Sequence, residues 1–396
     1  MTRTNNTPKT TRSVKRTSIS TAVVLGLMMA SPAVLADSAS DVNFKFSGYI
    51  KVDSMFSSYD SGTLSSGNLG RDFYIPGLTP VGGVEESTQF DMHARQSRFR
   101  FAADTVIDGE KMTGVLEFDM QATPNGDERV SNSYSPRVRH AFLKYGNWLF
   151  GQTWSTFQDV TALPETLDFI GVTDGTIFVR QSMIRYSNNG FEIALENPET
   201  TVTPYGGGGR IVTDDNSVPD LIARYTHKAD WGHVAVAGMV RQLAYQSGDV
   251  IDTSETGYGI SITSKIKLGA DDLRLMFNTG SGLGRYLGIN AANGAVLNAA
   301  NELEAIDSYG YAIAYRHVWN DQWRSTLTYS KFQADNDVSL TGTGVTESTY
   351  STHVNLLYSP NSKITFGAEY GYANRTLEND AEGDMNRIQL SAKYAF

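Results

Sequence analysis

The sequence predicts an all-β protein: a sixteen-stranded antiparallel transmembrane β-barrel. Three observations carry that expectation. Apolar and polar residues alternate with period two along most of the chain after residue 44, the signature of half-buried strands. Short and long connections alternate strictly between those segments, as in outer-membrane barrels with tight periplasmic turns and long extracellular loops. The N-terminus carries an export signal, and no later stretch approaches the roughly 20 apolar residues of a membrane-crossing helix.

The export signal comes first. Arg3, Lys9, Arg12, Lys15 and Arg16 precede an apolar run from Ala22 to Ala30, and small residues suit cleavage after Ala36. Residues 1–36 therefore read as a signal peptide and 37–396 as the barrel domain. The 396-residue chain has no cysteine, so it has no disulfide framework and no thiolate chemistry. Its formal net charge is −10, and removing the leader, which holds five basic and no acidic residues, makes the remainder more acidic.

The strands follow in order. The first opens with Phe46-Ser47-Gly48-Tyr49-Ile50 and the second with Arg98-Phe99-Arg100-Phe101. Met112 to Met120 alternates in the third, and Arg137 to Leu143 forms the fourth. Later segments such as Phe191–Glu196, Leu221–Thr226, Val234–Arg241, Tyr309–Arg316 and Ile364–Tyr372 repeat the pattern. Asp108-Gly109, Gly146-Asn147, Asn189-Gly190, Asp230-Trp231, Ala270-Asp271, Asn320-Asp321 and Pro360-Asn361 mark seven short turns. Eight longer loops fall near residues 58–88, 124–135, 157–180, 199–219, 245–254, 280–305, 336–345 and 376–384. Together they join sixteen strands and place both ends on the periplasmic side. Trp148, Trp231, Trp319 and Trp323 lie beside short turns, where an interfacial girdle belongs. The last strand, Arg387–Phe396, is expected to close the barrel against the first.

A barrel must turn its charges inward, because a lipid-facing Arg near the bilayer midplane costs roughly 2–4 kcal/mol. That parity points Arg98, Arg100, Arg185, Arg224, Arg241, Arg274, Arg316, Arg324, Arg387 and Lys393 into the lumen, with Glu117 and Asp119 as lumenal acids. The fourth strand is ambiguous, because Arg137 and Arg139 share parity with Ala141 and Leu143. The third long loop carries Asp159, Glu165, Asp168 and Asp174 among apolar residues, a composition suited to folding inward as a constriction. Its acids would then face the arginine ladder, with Arg98, Arg100, Arg185 and Arg224 opposite, or simply pin the loop to the wall.

Several motifs resemble the DcaP-type outer-membrane channels: Phe46–Asp53, Ala94–Phe101, Pro136–Leu143 running into Gly151–Phe157, Pro164–Phe169 and Phe178–Gln181. The resemblance implies a homotrimeric porin associated with dicarboxylate uptake. It also implies an N-terminal periplasmic coiled coil, for which the few residues between the cleavage site and Phe44 leave no room. The chain's ending resembles the signal read by the barrel-assembly machinery, with Gln389, Tyr394 and Phe396 matching and Ser391 in place of the usual glycine. The expected partners are further copies of the chain, outer-membrane lipid and lipopolysaccharide, the assembly machinery and small anionic solutes. No cofactor, metal or nucleic acid is expected. The six histidines show no ligand spacing, and no Gly-x-Ser-x-Gly is present. The expected function is an anion-preferring porin of a Gram-negative outer membrane, and the alternative is a non-conducting barrel acting as adhesin or structural protein.

Overall fold

The computed structural model describes residues 42–123 and 131–396. The signal peptide and the first part of the second long loop lie outside the described residues. The wall begins with β1 (Asn43–Tyr59), followed by β2 (Gln89–His93) and β3 (Arg98–Ile107). Both β2 and β3 pair with β1, so they are two halves of one wall strand. At the break between them, Lys51 donates its backbone N–H to the Ser97 hydroxyl instead of to a ladder carbonyl.

The wall continues through β4 (Glu110–Asp119), β5 (Arg137–Tyr145), β6 (Trp148–Trp154), β7 (Arg180–Asn188) and β8 (Phe191–Glu196). Two short strands outside the wall come next, β9 (Thr200–Thr203) and β10 (Ile211–Thr213). Then come β11 (Asp220–Ala229), β12 (Gly232–Ser247), β13 (Ile251–Leu268) and β14 (Asp271–Ser281). A second off-wall pair is β15 (Ala295–Leu297) and β16 (Leu303–Ala305). The wall ends with β17 (Asp307–Val318), β18 (Trp323–Asp335), β19 (Thr346–Asn361), β20 (Ile364–Leu377) and β21 (Glu382–Ala395). Each wall strand pairs antiparallel with the next, and β21 pairs with β1 from Tyr49↔Ala395 to Tyr59↔Met385. The result is a closed barrel of sixteen strands with no free edge.

Seven short turns join the strands as expected, but the last falls at Ser362-Lys363, because Pro360 and Asn361 still belong to the preceding strand. Asp108-Gly109 and Asn189-Gly190 take left-handed φ at both central positions, which that turn type requires. Two expected long loops are corrected. β12 and β13 run on until only residues 248–250 separate them, and β20 and β21 until only 378–381 do. Both hairpins project beyond the apolar band, where neither face needs apolar residues, so their alternation fades although the backbone ladder continues.

The inside/outside parity follows the sequence reading. Leu195, Val236, Ile262 and Leu390 point outward and exposed while their strand neighbours are buried toward the lumen, and Phe101 and Ile184 are exposed on the same outer face. The ambiguity of β5 resolves into a β-bulge: Glu117 pairs with His140 and Phe118 with Val138, leaving Arg139 as the extra residue. Arg139 and His140 are consequently both buried, Val138 and Ala141 face outward, and the parity flips between them. Among the described residues no helix is long and apolar enough to cross a membrane.

Candidate functional site

Residues 155–179, between β6 and β7, leave the rim and cross the lumen. Phe157, Ala162, Leu167, Ile170, Val172 and Ile177 are buried there. The segment must satisfy its backbone groups away from bulk water, and wall side chains supply the partners. Glu369 accepts from the backbone N–H of Leu167 and Asp168, at 2.7 and 2.9 Å. Lys51 and Gln389 both donate to the Leu167 carbonyl. Ser330 accepts from the Gly175 N–H, and Asn278 donates to the Gly175 carbonyl. Arg274 donates to the Leu163 carbonyl. Two further loops fold in beside it: residues 60–88 bury Phe73 and Tyr74, and 282–306 bury Leu283, Tyr286 and Leu287.

The four loop acids take separate roles. Asp159 accepts from Thr263 at 2.8 Å and faces His233 at 2.7 Å; burial pushes its carboxyl up, but hydrogen bonds from Thr161, His233 and Thr263 outweigh that and hold it below the usual range. Glu165 accepts two hydrogen bonds from Arg324, at 2.8 and 2.6 Å, with Arg316 at 3.9 Å. Burial pushes Glu165 up as well, but the bonds and charge of Arg324, with Arg316 behind, bring it below the ordinary glutamate value. Asp168 caps the N–H groups of Tyr74, Ile170 and Gly171 and has the Arg387 guanidinium at 3.9 Å. Asp174 is fully buried, takes hydroxyl donors from Tyr74 and Ser351, and is raised by burial despite them.

The wall arginines point into the lumen, but they do not form an unpaired ladder. Carboxylates in the minority bind them in clusters. Glu117 and Asp119 serve Arg98, Arg100, Arg137 and Arg139. Glu192 serves Arg185 and Arg224. Asp220 serves Arg241 of the wall and Arg285 of the inward loop 282–306. Asp272 serves Lys265, Arg274 and Arg316, and Glu165 continues that cluster to Arg324. Counted by ion pairs within 4.0 Å, each of these four clusters holds more cations than carboxylates, with buried Glu196 a further acid beside Arg185. Lys51 with Asp53 and Arg387 with Asp168 pair one to one.

Of the arginines expected opposite the loop, Arg98 shares a cavity of about 250 Å³ with Glu165 and Asp168, together with Lys393. Lys51 and Lys393 stand directly opposite each other in the β1–β21 register, like charges whose juxtaposition is costly. Arg224 touches the loop through the Gln158 carbonyl. Arg100 and Arg185 do not pair with any loop acid; their carboxylates are Glu117 and Glu192. A second cavity of about 730 Å³ opens between Asp159 and the short-turn end, flanked by Arg224, Lys228, Lys265 and Lys267.

Sequence reading missed Glu192, Asp220 and Asp272, although the parity that placed the arginines places these acids beside them. It also missed Glu369, which holds the loop through backbone groups invisible in the sequence, and the inward folding of residues 60–88 and 282–306. The apolar runs Phe73-Tyr74-Ile75 and Tyr286-Leu287 were signals for the latter. Of the three C-terminal residues, Gln389 faces inward and bonds Asp53, whereas Tyr394 is exposed on the outer wall. Phe396 packs on Phe46 at 5.2 Å between ring centroids.

The model of the DcaP outer membrane protein family matches residues 15–396. Among solved structures, the outer membrane channel DcaP of Acinetobacter baumannii aligns with a TM-score of 0.76 at 22% identity, covering 90% of this chain and 97% of that one. OmpT of Vibrio cholerae aligns at 0.55 with 14% identity over 90% and 99% of the two chains. OmpF of Salmonella typhi aligns at 0.53 with 11% identity over 90% and 98%. No curated sequence matches. At these identities the structural likeness shows the porin fold, and the family match supplies the rest: the chain belongs to the DcaP outer membrane protein family and is an outer-membrane channel of porin type.

Proposed function

We propose that the channel passes small hydrophilic solutes with a preference for anions, and that dicarboxylates are its preferred class. The carrying observation is the excess of cations over carboxylates in the four ion-paired clusters of the lumen, set against loop acids that are already bound. Asp168 and Asp174 are buried and Glu165 is held by Arg324, so none of the three is free to oppose an entering anion. A guanidinium has five donors, and an arginine sharing one carboxylate with a second cation keeps donors for a solute carboxylate. Arg98 and Lys393 on the cavity below the loop, and Lys228, Lys265 and Lys267 in the vestibule beyond it, extend a cationic path toward the periplasm. The dicarboxylate class follows from the family resemblance together with this path.

The same reading makes the protein a homotrimer. OmpT of Vibrio cholerae is known in a trimer form. Here the outer wall at the β1–β4 and β21 seam gathers Phe46, Phe99, Phe101, Phe118 and Phe396 into contacting rings, a surface suited to a protein partner. Tyr394 and Phe396 remain the proposed contacts for the assembly machinery.

Solute flux into proteoliposomes tests the substrate class. A four-carbon dicarboxylate should enter faster than the uncharged diamide of the same length, and the diamine should be slowest. Equal rates for all three would reduce the channel to a size filter. A diamine that enters fastest would reverse the proposal.

A further inference from the structure

From β17 to β21 the outer wall carries one cation among residues that face lipid. From β17 to β21, Arg316, Arg324, Arg375, Arg387 and Lys393 share the inward parity, and Lys331 is the one Lys or Arg on the outward parity. Its strand neighbours Ser330 and Phe332 are buried on the lumenal side. In register, Lys331 stands between Tyr311 of β17 and Tyr350 of β19. These tyrosines belong to a row that follows the outer wall across four strands: Tyr311–Tyr329 at 6.2 Å between ring centroids, Tyr329–Tyr350 at 6.3 Å and Tyr350–Tyr372 at 6.0 Å.

The height of that row is fixed by the same strand. Trp323, exposed at the periplasmic end of β18, belongs to the lower girdle. Eight residues separate it from Lys331, about 26 Å along the strand and about 20 Å along the membrane normal at the usual tilt. An apolar band is about 25 Å tall, and a lysine stem extends its ammonium several ångströms further toward water. The ammonium therefore emerges at the outer-leaflet headgroups, in a tyrosine belt. Among the described residues no carboxylate lies within 4.0 Å of it. Asp335 lies about 13 Å further along the strand, opposite Asp307 at the extracellular end.

We propose that Lys331, between Tyr311 and Tyr350, is a docking point for the phosphate of a phosphorylated glycolipid in the outer leaflet. The ammonium supplies the charge, and the tyrosine hydroxyls, linked to one another and at Tyr372 to Asp384, frame it at the same level. Among the described residues no carboxylate pairs with Lys331, Asp384 being held by Tyr372 at the far end of the row, and a lipid anion completes the pair. This placement rests on the outer-membrane assignment and is independent of what passes through the lumen.

Native mass spectrometry of the folded full-length protein in detergent provides the test, with bisphosphorylated lipid A and the same lipid stripped of phosphate as probes. Wild type should retain the phosphorylated form preferentially. Lys331→Gln should weaken that retention about fivefold, one lysine's share of the attraction to an anionic membrane surface. Lys331→Arg should keep it, and all variants should keep wild-type conductance. Equal retention of the dephosphorylated lipid by wild type would overturn the proposal, as would unchanged retention by Lys331→Gln. Displacement of the lipid by an equal concentration of inorganic phosphate would overturn its assignment to a membrane ligand.

Discussion

Glu165 is the residue on which the inward loop turns from apolar packing to ion pairing. Its two bonds to Arg324 are charge-assisted and partly sheltered, together worth about 2 kcal/mol of loop anchoring. Glu165→Gln should leave the barrel folded and raise the open-channel current noise, because the loop then samples displaced positions; noise identical to wild type would mean that other contacts suffice. The pH dependence follows with its sign. The Glu165 carboxyl lies below its ordinary value of 4.5 in the fold, so its contribution is complete above that value and is lost as pH falls through the lowered pKa. Acidification from above pH 4.5 to below the lowered pKa should therefore raise current noise in wild type and add little in Glu165→Gln. Asp174 acts in the opposite sense: burial raises its carboxyl, so it takes up a proton more readily in the fold than in the unfolded chain and is not lost on acidification.

At the scale of elements, the loop is seated where two backbones touch. A Cβ on Gly175 would collide with the Tyr311 carbonyl, and a Cβ on Gly310 would come within 2.8 Å of the Gly175 Cα. Gly175→Ala should lift residues 155–179 off β17 and change the single-channel conductance, while the wall, whose ladders do not involve Gly175, keeps its heat resistance on gels. An unchanged conductance would show that the seat is not needed. The C-terminal strand closes the wall in the same literal way: Gly48 and Phe396 exchange both backbone hydrogen bonds, at 3.2 and 3.1 Å. Deleting Phe396 removes that pair and the ring contacts with Phe46 and Phe99, so the yield of folded protein should fall while molecules that do fold conduct normally. Normal yield would contradict it.

These elements also show what the sequence could and could not reveal. Strand parity was legible because lipid enforces it one residue at a time. The bulge at Arg139 was not, since an inserted residue leaves the composition unchanged and only breaks the phase. The hairpin of β12 and β13 extends past the membrane on backbone bonds alone, and there Gln246 and Asp252 read as loop although they pair in register. The loop's inward course was suggested by its apolar residues, but its anchors, Glu369 and Ser330, come from strands about 155 to 200 residues away in the chain. Nothing local to residues 155–179 could have named them.

Over the whole molecule, net charge and lumenal charge point in opposite directions. The chain is −10 overall, yet its wall clusters hold more cations than carboxylates. The surplus acids sit on the extracellular hairpins and loops, among them Glu85, Glu86, Asp249, Asp252, Glu378 and Asp380. Those charges act on the field outside and are screened over about 8 Å at physiological ionic strength, whereas charges in the narrow lumen act on every ion that passes. The zero-current potential of single channels in a KCl gradient measures which set governs conduction. The account predicts a potential displaced toward the chloride equilibrium value, and a smaller displacement in the Arg98→Ala, Arg100→Ala double variant. A potential displaced toward the potassium equilibrium value would contradict it.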